Sequence, residues 1–275
     1  MYLSRLYIDI GNDPTRERPG RLWLRNLYHV HQRLCMAFPS AERMSDDQHF
    51  LKPFKPEDFG KGQVHVERAE GAGFLFRIDP HPDGRVVILV QSAAEPNWDY
   101  AFQNAGYLLA APPEVKEFNP NFNSGQQLRF RIRANLSKKK KTSATGVDLT
   151  KRGMGTDKMG RPKQQSKRVA LTWAQGQNPE DVIRDWFARQ GKRGFDVNIF
   201  RASQIGWGNG YRPTHGPEGE SANSADRLKF RSALLEGTLT VTNVDTFKET
   251  VVRGIGSGKA FGFGLLSVAP IERDG

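Results

Sequence analysis

Apolar and polar residues alternate from Tyr2 to Ile10, the two-residue period of a half-buried strand. A Pro-, Arg- and Gly-rich stretch follows and predicts a loop. At Leu27, Val30, Leu34 and Phe38 the apolar period lengthens to that of a helix, which starts near Asn26 and ends at Pro39. Beyond a long polar loop with Pro53 and Pro56, the runs GFLFRID and RVVILVQS flank a turn from Pro80 to Gly84, a hairpin signal. A helix around Trp98 to Leu109 and a strand from Glu114 to Phe118 complete the order β-α-β-β-α-β.

The same order then repeats. Along Gln126 to Ala134, Leu128, Phe130 and Ile132 alternate with Arg129, Arg131 and Arg133, so one face is apolar and the other carries three guanidinium groups. A basic segment separates this strand from the stretch RVALTW, which can pair back as the end of a long hairpin. A helix begins at the cap Asn178 with Pro179 in its first turn, holds Val182, Ile183, Trp186 and Phe187 inside, and stops at Gly191. Strands are expected at Phe195 to Ile205 and at Leu228 to Val241, the latter split near Glu236 and Gly237. A helix from Val244 to Arg253 and a strand from Phe263 to Ala269 close the second unit. The pattern predicts an α+β protein of tandem ferredoxin-like (βαββαβ, RRM-like) domains, residues 1–119 and 120–275. Element order repeats, but sequence identity between the halves is not visible, and the fold alone assigns no function.

Charge narrows the partner. Forty-one Lys and Arg against thirty Asp and Glu give a formal net charge of +11, which favours a polyanion: nucleic acid or an anionic membrane surface. From Lys138 to Arg168 eight Lys and three Arg face two Asp, a balance of +9, so this one segment holds most of the excess. It lacks the Trp, Phe and Leu face of an interfacial helix, so nucleic acid is expected and a membrane is not. It also extends the strand of Arg129, Arg131 and Arg133, and positive charge continuous over both suits a phosphate backbone. The other reading of such a lysine run is a solvated surface loop. No apolar run reaches the roughly 20 residues of a membrane span, and MYLSRLYIDI lacks the build of a signal sequence, so a cytoplasmic protein is expected. The single cysteine, Cys35, excludes an internal disulfide and a thiolate cluster.

The candidate chemistry is sparse. Five glycines, Gly254, Gly256, Gly258, Gly262 and Gly264, surround Lys259, but a P-loop would need Gly where Arg253 stands and Ser or Thr where Ala260 stands. Capping a helix accounts for Gly254, and close approach of backbone to phosphate is the expected reason for the others. The histidines 29, 31, 49, 65, 81 and 215 show no metal-ligand spacing, so neither a metal nor a cofactor is expected. His31 lies three residues after Tyr28 on the first helix, which makes their side chains neighbours. They are either a buried structural pair or a pair able to exchange protons.

The segments MYLSRLYI, RNLYHVHQRLCMAFP, RFRIRANLSK and GIGSGKAFGFGLLSVAPI, in that order, resemble the CasE family, the CRISPR repeat-processing endoribonucleases of type I-E systems. The resemblance implies a metal-independent endoribonuclease that cuts precursor crRNA at the 3′ base of the repeat stem. It also implies that the enzyme remains on the mature crRNA hairpin beside other Cascade subunits. The chemistry implied is attack of a ribose 2′-OH on the adjacent phosphate, leaving a 2′,3′-cyclic phosphate and a 5′-OH. Carried over, the family's helix histidine falls on His31, its neighbouring tyrosine on Tyr28, and its glycine-rich segment on Gly254 to Gly264, where Gly256, Gly258, Lys259 and Gly262 would meet RNA. Lys259 could also meet charge on the phosphorane. The family's basic hairpin corresponds by composition to Lys138, Lys139, Lys140, Lys141, Arg161, Lys163, Lys167 and Arg168. His29 and longer loops at 45–62 and 206–225 depart from the family pattern. Two other functions fit the residues: a non-catalytic RNA-hairpin-binding subunit, and a scaffold that touches RNA only through its basic segment.

Overall fold

The computed structural model describes residues 1–11, 19–47, 73–81, 85–141, 166–211 and 227–271. Its first half builds a four-stranded antiparallel sheet from β1 (Tyr2–Ile8), β2 (Phe74–Pro80), β3 (Val86–Ser92) and β4 (Glu114–Glu117), in the spatial order β2-β3-β1-β4. The helices are α1 (Pro19–Arg25), α2 (Leu27–Cys35), α3 (Ala41–Asp46) and α4 (Trp98–Phe102). Leu6 and Ile8 of β1, Phe76 of β2 and Ile88 and Val90 of β3 face Val30 and Leu34 of α2 and Ala101 and Phe102 of α4 in one core. The period-2 and helical-period apolar positions meet there, as the alternation requires.

In the second half β5 (Gln127–Asn135), β8 (Phe195–Tyr211), β9 (Arg227–Val241) and β10 (Ser267–Pro270) repeat that order, β10-β5-β9-β8. This is again the order of a ferredoxin-like unit, with strands one and three central. Helices α5 (Pro179–Ala188) and α6 (Val244–Arg253) cover one face, where Ile183, Phe187, Phe247 and Val251 pack on Leu128, Phe130, Ile132 and Leu239. Between β5 and α5 a two-stranded hairpin is inserted, β6 (Ser137–Lys141) with β7 (Ser166–Ala170). The basic segment therefore does pair back, with Lys139 opposite Arg168.

Several elements differ from expectation for identifiable reasons. The stretch predicted as loop contains α1, because Pro19 opens its first turn and Trp23 and Leu24 find apolar partners in the first core. A Cβ at Gly20 would lie 2.1 Å from the Asp9 carbonyl oxygen, so glycine is what lets α1 approach the end of β1. Ser40 caps α3 by accepting from the Arg43 N–H at 3.0 Å, a short helix hidden in a polar context. Past α5 the chain continues as a 3-10 turn through Gly191 to Arg193 and reverses at Gly194. The strand expected to split near Gly237 runs through as β9, its partner β8 absorbing the irregularity between Val197 and Ile199.

The halves are joined by buried polar contacts as well as apolar ones. Arg77, on the face of β2 opposite Phe76, is 4% exposed. Its Nε donates to both carboxylate oxygens of Asp79 at 2.8 and 2.9 Å, and its Nη1 donates to the Arg131 carbonyl at 3.1 Å and to Ser267 Oγ at 2.8 Å. Burial pushes this guanidinium pKa down, Asp79 opposes the shift, and Arg131 and Arg133 add to it. Gln91 of β3 donates to the Val251 carbonyl of α6 at 2.8 Å.

Candidate nucleic-acid interface

Asn26 caps α2 by accepting from the Tyr28 N–H at 3.1 Å and so fixes the phase of the helix. Val30 and Leu34 point into the core, His29 is exposed, and Tyr28 and His31 sit half-buried at the edge of the apolar face. The rings of His31 and Tyr28 are 6.5 Å apart. His31 lies 5.2 Å from Phe74 and stacks on Phe76 at 6.4 Å. Its Nε2 stands 3.6 Å from Sγ of buried Cys35, one helical turn on, and its Nδ1 is shielded from solvent. In the sequence Cys35 speaks only against disulfides and thiolate clusters. The i, i+4 spacing is the signal that it neighbours His31.

The glycine-rich segment lies directly beside this pair. Its 3-10 turn Lys259–Phe261 rests on α2, with Phe261 6.4 Å from the Tyr28 ring, and Phe230, Phe261 and Phe263 form a small core against Leu27 and Tyr28. The structure gives the glycines a reason internal to the protein. Gly254 and Gly264 have φ near +69° and +92°, and a Cβ on either would stand about 2.5 Å from a carbonyl oxygen of the other limb of the segment. Gly262 is buried against Phe76, whereas Gly256 and Gly258 are half-exposed. Phosphate approach is therefore not needed to explain most of these positions. The Lys259 ammonium donates to the Arg253 carbonyl at the end of α6. Burial, then Arg193 and Arg253, lower its pKa.

At its other end the segment reaches the basic hairpin. Ser257 Oγ is 3.2 Å from Asn135 Nδ2 and 2.9 Å from Ser137 Oγ, and Trp186 Nε1 donates to the Ser137 carbonyl at 3.0 Å. One continuous path thus leads from His31 and Tyr28 over the glycine-rich segment to the root of β6 and β7. Ser257 is the link that the sequence pattern does not reveal, because a serine among glycines carries no periodic signal. Lys138, Lys139, Lys140 and Arg168 are exposed on this hairpin, and Lys141 and Lys167 belong to its strands. Arg161 and Lys163 lie outside the described residues.

The three arginines of β5 are elsewhere. Phe74 and Phe76 face His31, so Arg77 points to the opposite side of the first sheet, and it is Arg77 that lies against Arg131 and Arg133. Arg131 is paired with Glu236 at 2.7 Å, and Arg133 donates to Gln204 Oε1 with its pKa lowered by burial. Arg129 is exposed. The charge of this strand is therefore not gathered around His31. Among the described residues no three His, Cys, Asp or Glu side chains converge as a ligand set, and no helix is long and apolar enough to cross a membrane.

Residues 1–270 match the family model described as CRISPR associated protein. The chain is 33% identical over 184 residues, 67% of its length and 73% of the relative's, to the CRISPR-associated endoribonuclease Cse3 of Thermus thermophilus. It is 28% identical over 271 residues, 98% of its length and 100% of the relative's, to the CRISPR system Cascade subunit CasE of Escherichia coli. Among solved structures, CRISPR endoribonuclease Cse3 bound to 19 nt RNA superposes with a TM-score of 0.61 at 28% identity, covering 98% of this chain and 100% of that one.

Proposed function

Because the chain belongs to the family of CRISPR-associated proteins that includes Cse3 and CasE, we propose that it is an endoribonuclease that processes CRISPR repeat hairpins without a metal ion and then stays on the product within a Cascade assembly. The observation that carries the reading is the path just described: a histidine and tyrosine on α2, a glycine-rich bridge, and a basic hairpin rooted in that bridge. In this reading the hairpin holds the RNA stem and brings the strand at its base past α2. The ribose 2′-OH loses a proton and attacks the adjacent phosphorus. The bond to the 5′ oxygen then breaks as that oxygen gains a proton, leaving a 2′,3′-cyclic phosphate and a 5′-OH. An imidazole, with an ordinary pKa near 6.5, exchanges protons at neutral pH, and His31 is assigned that task with Tyr28 beside it. In this structure its Nε2 faces Cys35 Sγ and its Nδ1 is shielded from solvent. Residues 1–119 are the unit that carries the chemistry and residues 120–275 the unit that carries the hairpin.

That sequestered imidazole also favours a second reading, a subunit that binds the hairpin and leaves it whole. Incubation of the protein with its own repeat RNA in EDTA separates the two. Cleavage that persists, gives cyclic-phosphate ends and stops when the scissile ribose is 2′-deoxy supports the nuclease. Intact RNA in a stable complex supports the binder, and cleavage restored only by added divalent metal contradicts the proposed mechanism.

A further inference from the structure

The outer end of the β8–β9 ribbon carries an arrangement the nuclease reading does not use. Trp207 and Arg231 are directly opposite each other in the register, so their side chains share a face. The other face is covered at Gly210: the Phe230 and Phe261 rings lie 4.8 Å apart, tilted to each other, and a Cβ at Gly210 would stand 2.6 Å from Phe230 and 2.9 Å from Phe261. The ribbon is thereby held against the glycine-rich segment. On the open face the Arg231 guanidinium lies 3.3 Å from the Trp173 ring centroid and donates to the Leu171 carbonyl at 2.8 Å. The same guanidinium is 5.5 Å from the Trp207 ring. Trp207 itself is 62% exposed.

This pile stands at the root of the basic hairpin. Leu136, one residue before β6, donates its N–H to the Arg231 carbonyl at 2.7 Å, and Leu171, just after β7, donates to the Leu136 carbonyl at 2.9 Å. Lys229 and Asn209, paired two positions along the ribbon, are both exposed. A flat indole, fixed from behind by a cation and ringed by polar and basic groups, suits a nucleobase with its phosphates better than an apolar protein surface. We propose that Trp207 is a stacking platform for one unpaired nucleobase of the bound RNA, next to where the stem meets the basic hairpin. The proposal rests on the reading of the chain as a repeat-hairpin-binding protein.

The test uses the full-length protein and its own repeat hairpin with short single-stranded flanks, and a series in which each unpaired nucleotide in turn is abasic. Trp207→Ala should weaken binding of the intact RNA about tenfold, within the range of losing one base stack, and Trp207→Phe should restore most of it. At one position the abasic RNA should bind the native protein about as weakly as the intact RNA binds Trp207→Ala, and combining the two changes should add little. Equal affinity of Trp207→Ala and the native protein would overturn the platform while leaving hairpin binding standing. So would an additive loss at every abasic position, or normal RNA affinity with lost incorporation into a reconstituted Cascade, which would make the indole a protein contact. A native protein that bound no repeat hairpin would sink the underlying reading, and the platform with it.

Discussion

The two halves of the molecule have the same strand order, yet what is added to each is different. The first half keeps a compact sheet and places Tyr28 and His31 at the edge of α2, where packing on Phe74 and Phe76 fixes the imidazole. The second half inserts the β6–β7 hairpin and extends β8 and β9 into a long ribbon that carries charge and the exposed ring of Trp207. A repeated fold thus permits a division of labour. Groups that need rigid positioning sit against a core, and groups that need reach sit on insertions outside it.

That contrast depends first on the halves staying together, and the largest expected effect lies there. Arg77→Met leaves Asp79 without its counter-charge and removes two donors that cross between the sheets. Breaking a buried pair of this kind costs about 3–5 kcal/mol, read as a lower urea midpoint. A destabilisation below about 1 kcal/mol would show that the apolar seam alone holds the halves. Next in size is the chemistry of the first half. His31→Ala should slow single-turnover cleavage by about 100-fold, His29→Ala should cost much less, and Tyr28→Phe should fall between. If the exposed His29 proved to be the essential one, the assignment of α2's edge would be wrong.

The second half should respond in affinity. Replacing Lys138, Lys139 and Lys140 with Ala should lower the slope of log affinity against log salt by roughly 0.7 to 0.9 for each phosphate that is no longer neutralised. An unchanged slope would remove the hairpin from the interface. The smallest effect is expected at Lys259, whose ammonium is held on the Arg253 carbonyl. Lys259→Met should cost about 0.3–1 kcal/mol of stability by thermal melting, typical of a cation at a helix C-terminus, with little change in cleavage rate. A large fall in rate would give Lys259 a role on the reacting phosphate.

Periodicity makes much of this molecule legible. Leu128, Phe130 and Ile132 against Arg129, Arg131 and Arg133 predict β5 and its two faces, and Asn178-Pro179 marks the start of α5. What alternation cannot tell is which exposed face meets which. The arginine face is expected to continue the charge of the hairpin, but β2 brings Arg77 against it and Glu236 neutralises part of it. That Tyr28 and His31 are neighbours follows from their spacing. The approach of Phe261 to Tyr28 does not, because it joins residues more than 200 positions apart and passes through glycines that carry no hydrophobic signal. Short helices such as α1 and α3 escape the pattern for a related reason: their stability comes from a cap and from tertiary packing, and seven or six residues are too few to show a period.

The division of labour is tested most directly by measuring two quantities on one repeat RNA: dissociation constant and single-turnover rate at saturating protein. His31→Ala should fall about 100-fold in rate with its dissociation constant unchanged, and the triple lysine variant should bind more weakly while cutting at the native rate once saturated. If His31→Ala declined in affinity in step with rate, or the lysine variant stayed slow at saturation, chemistry and binding would not be divided between the halves in this way.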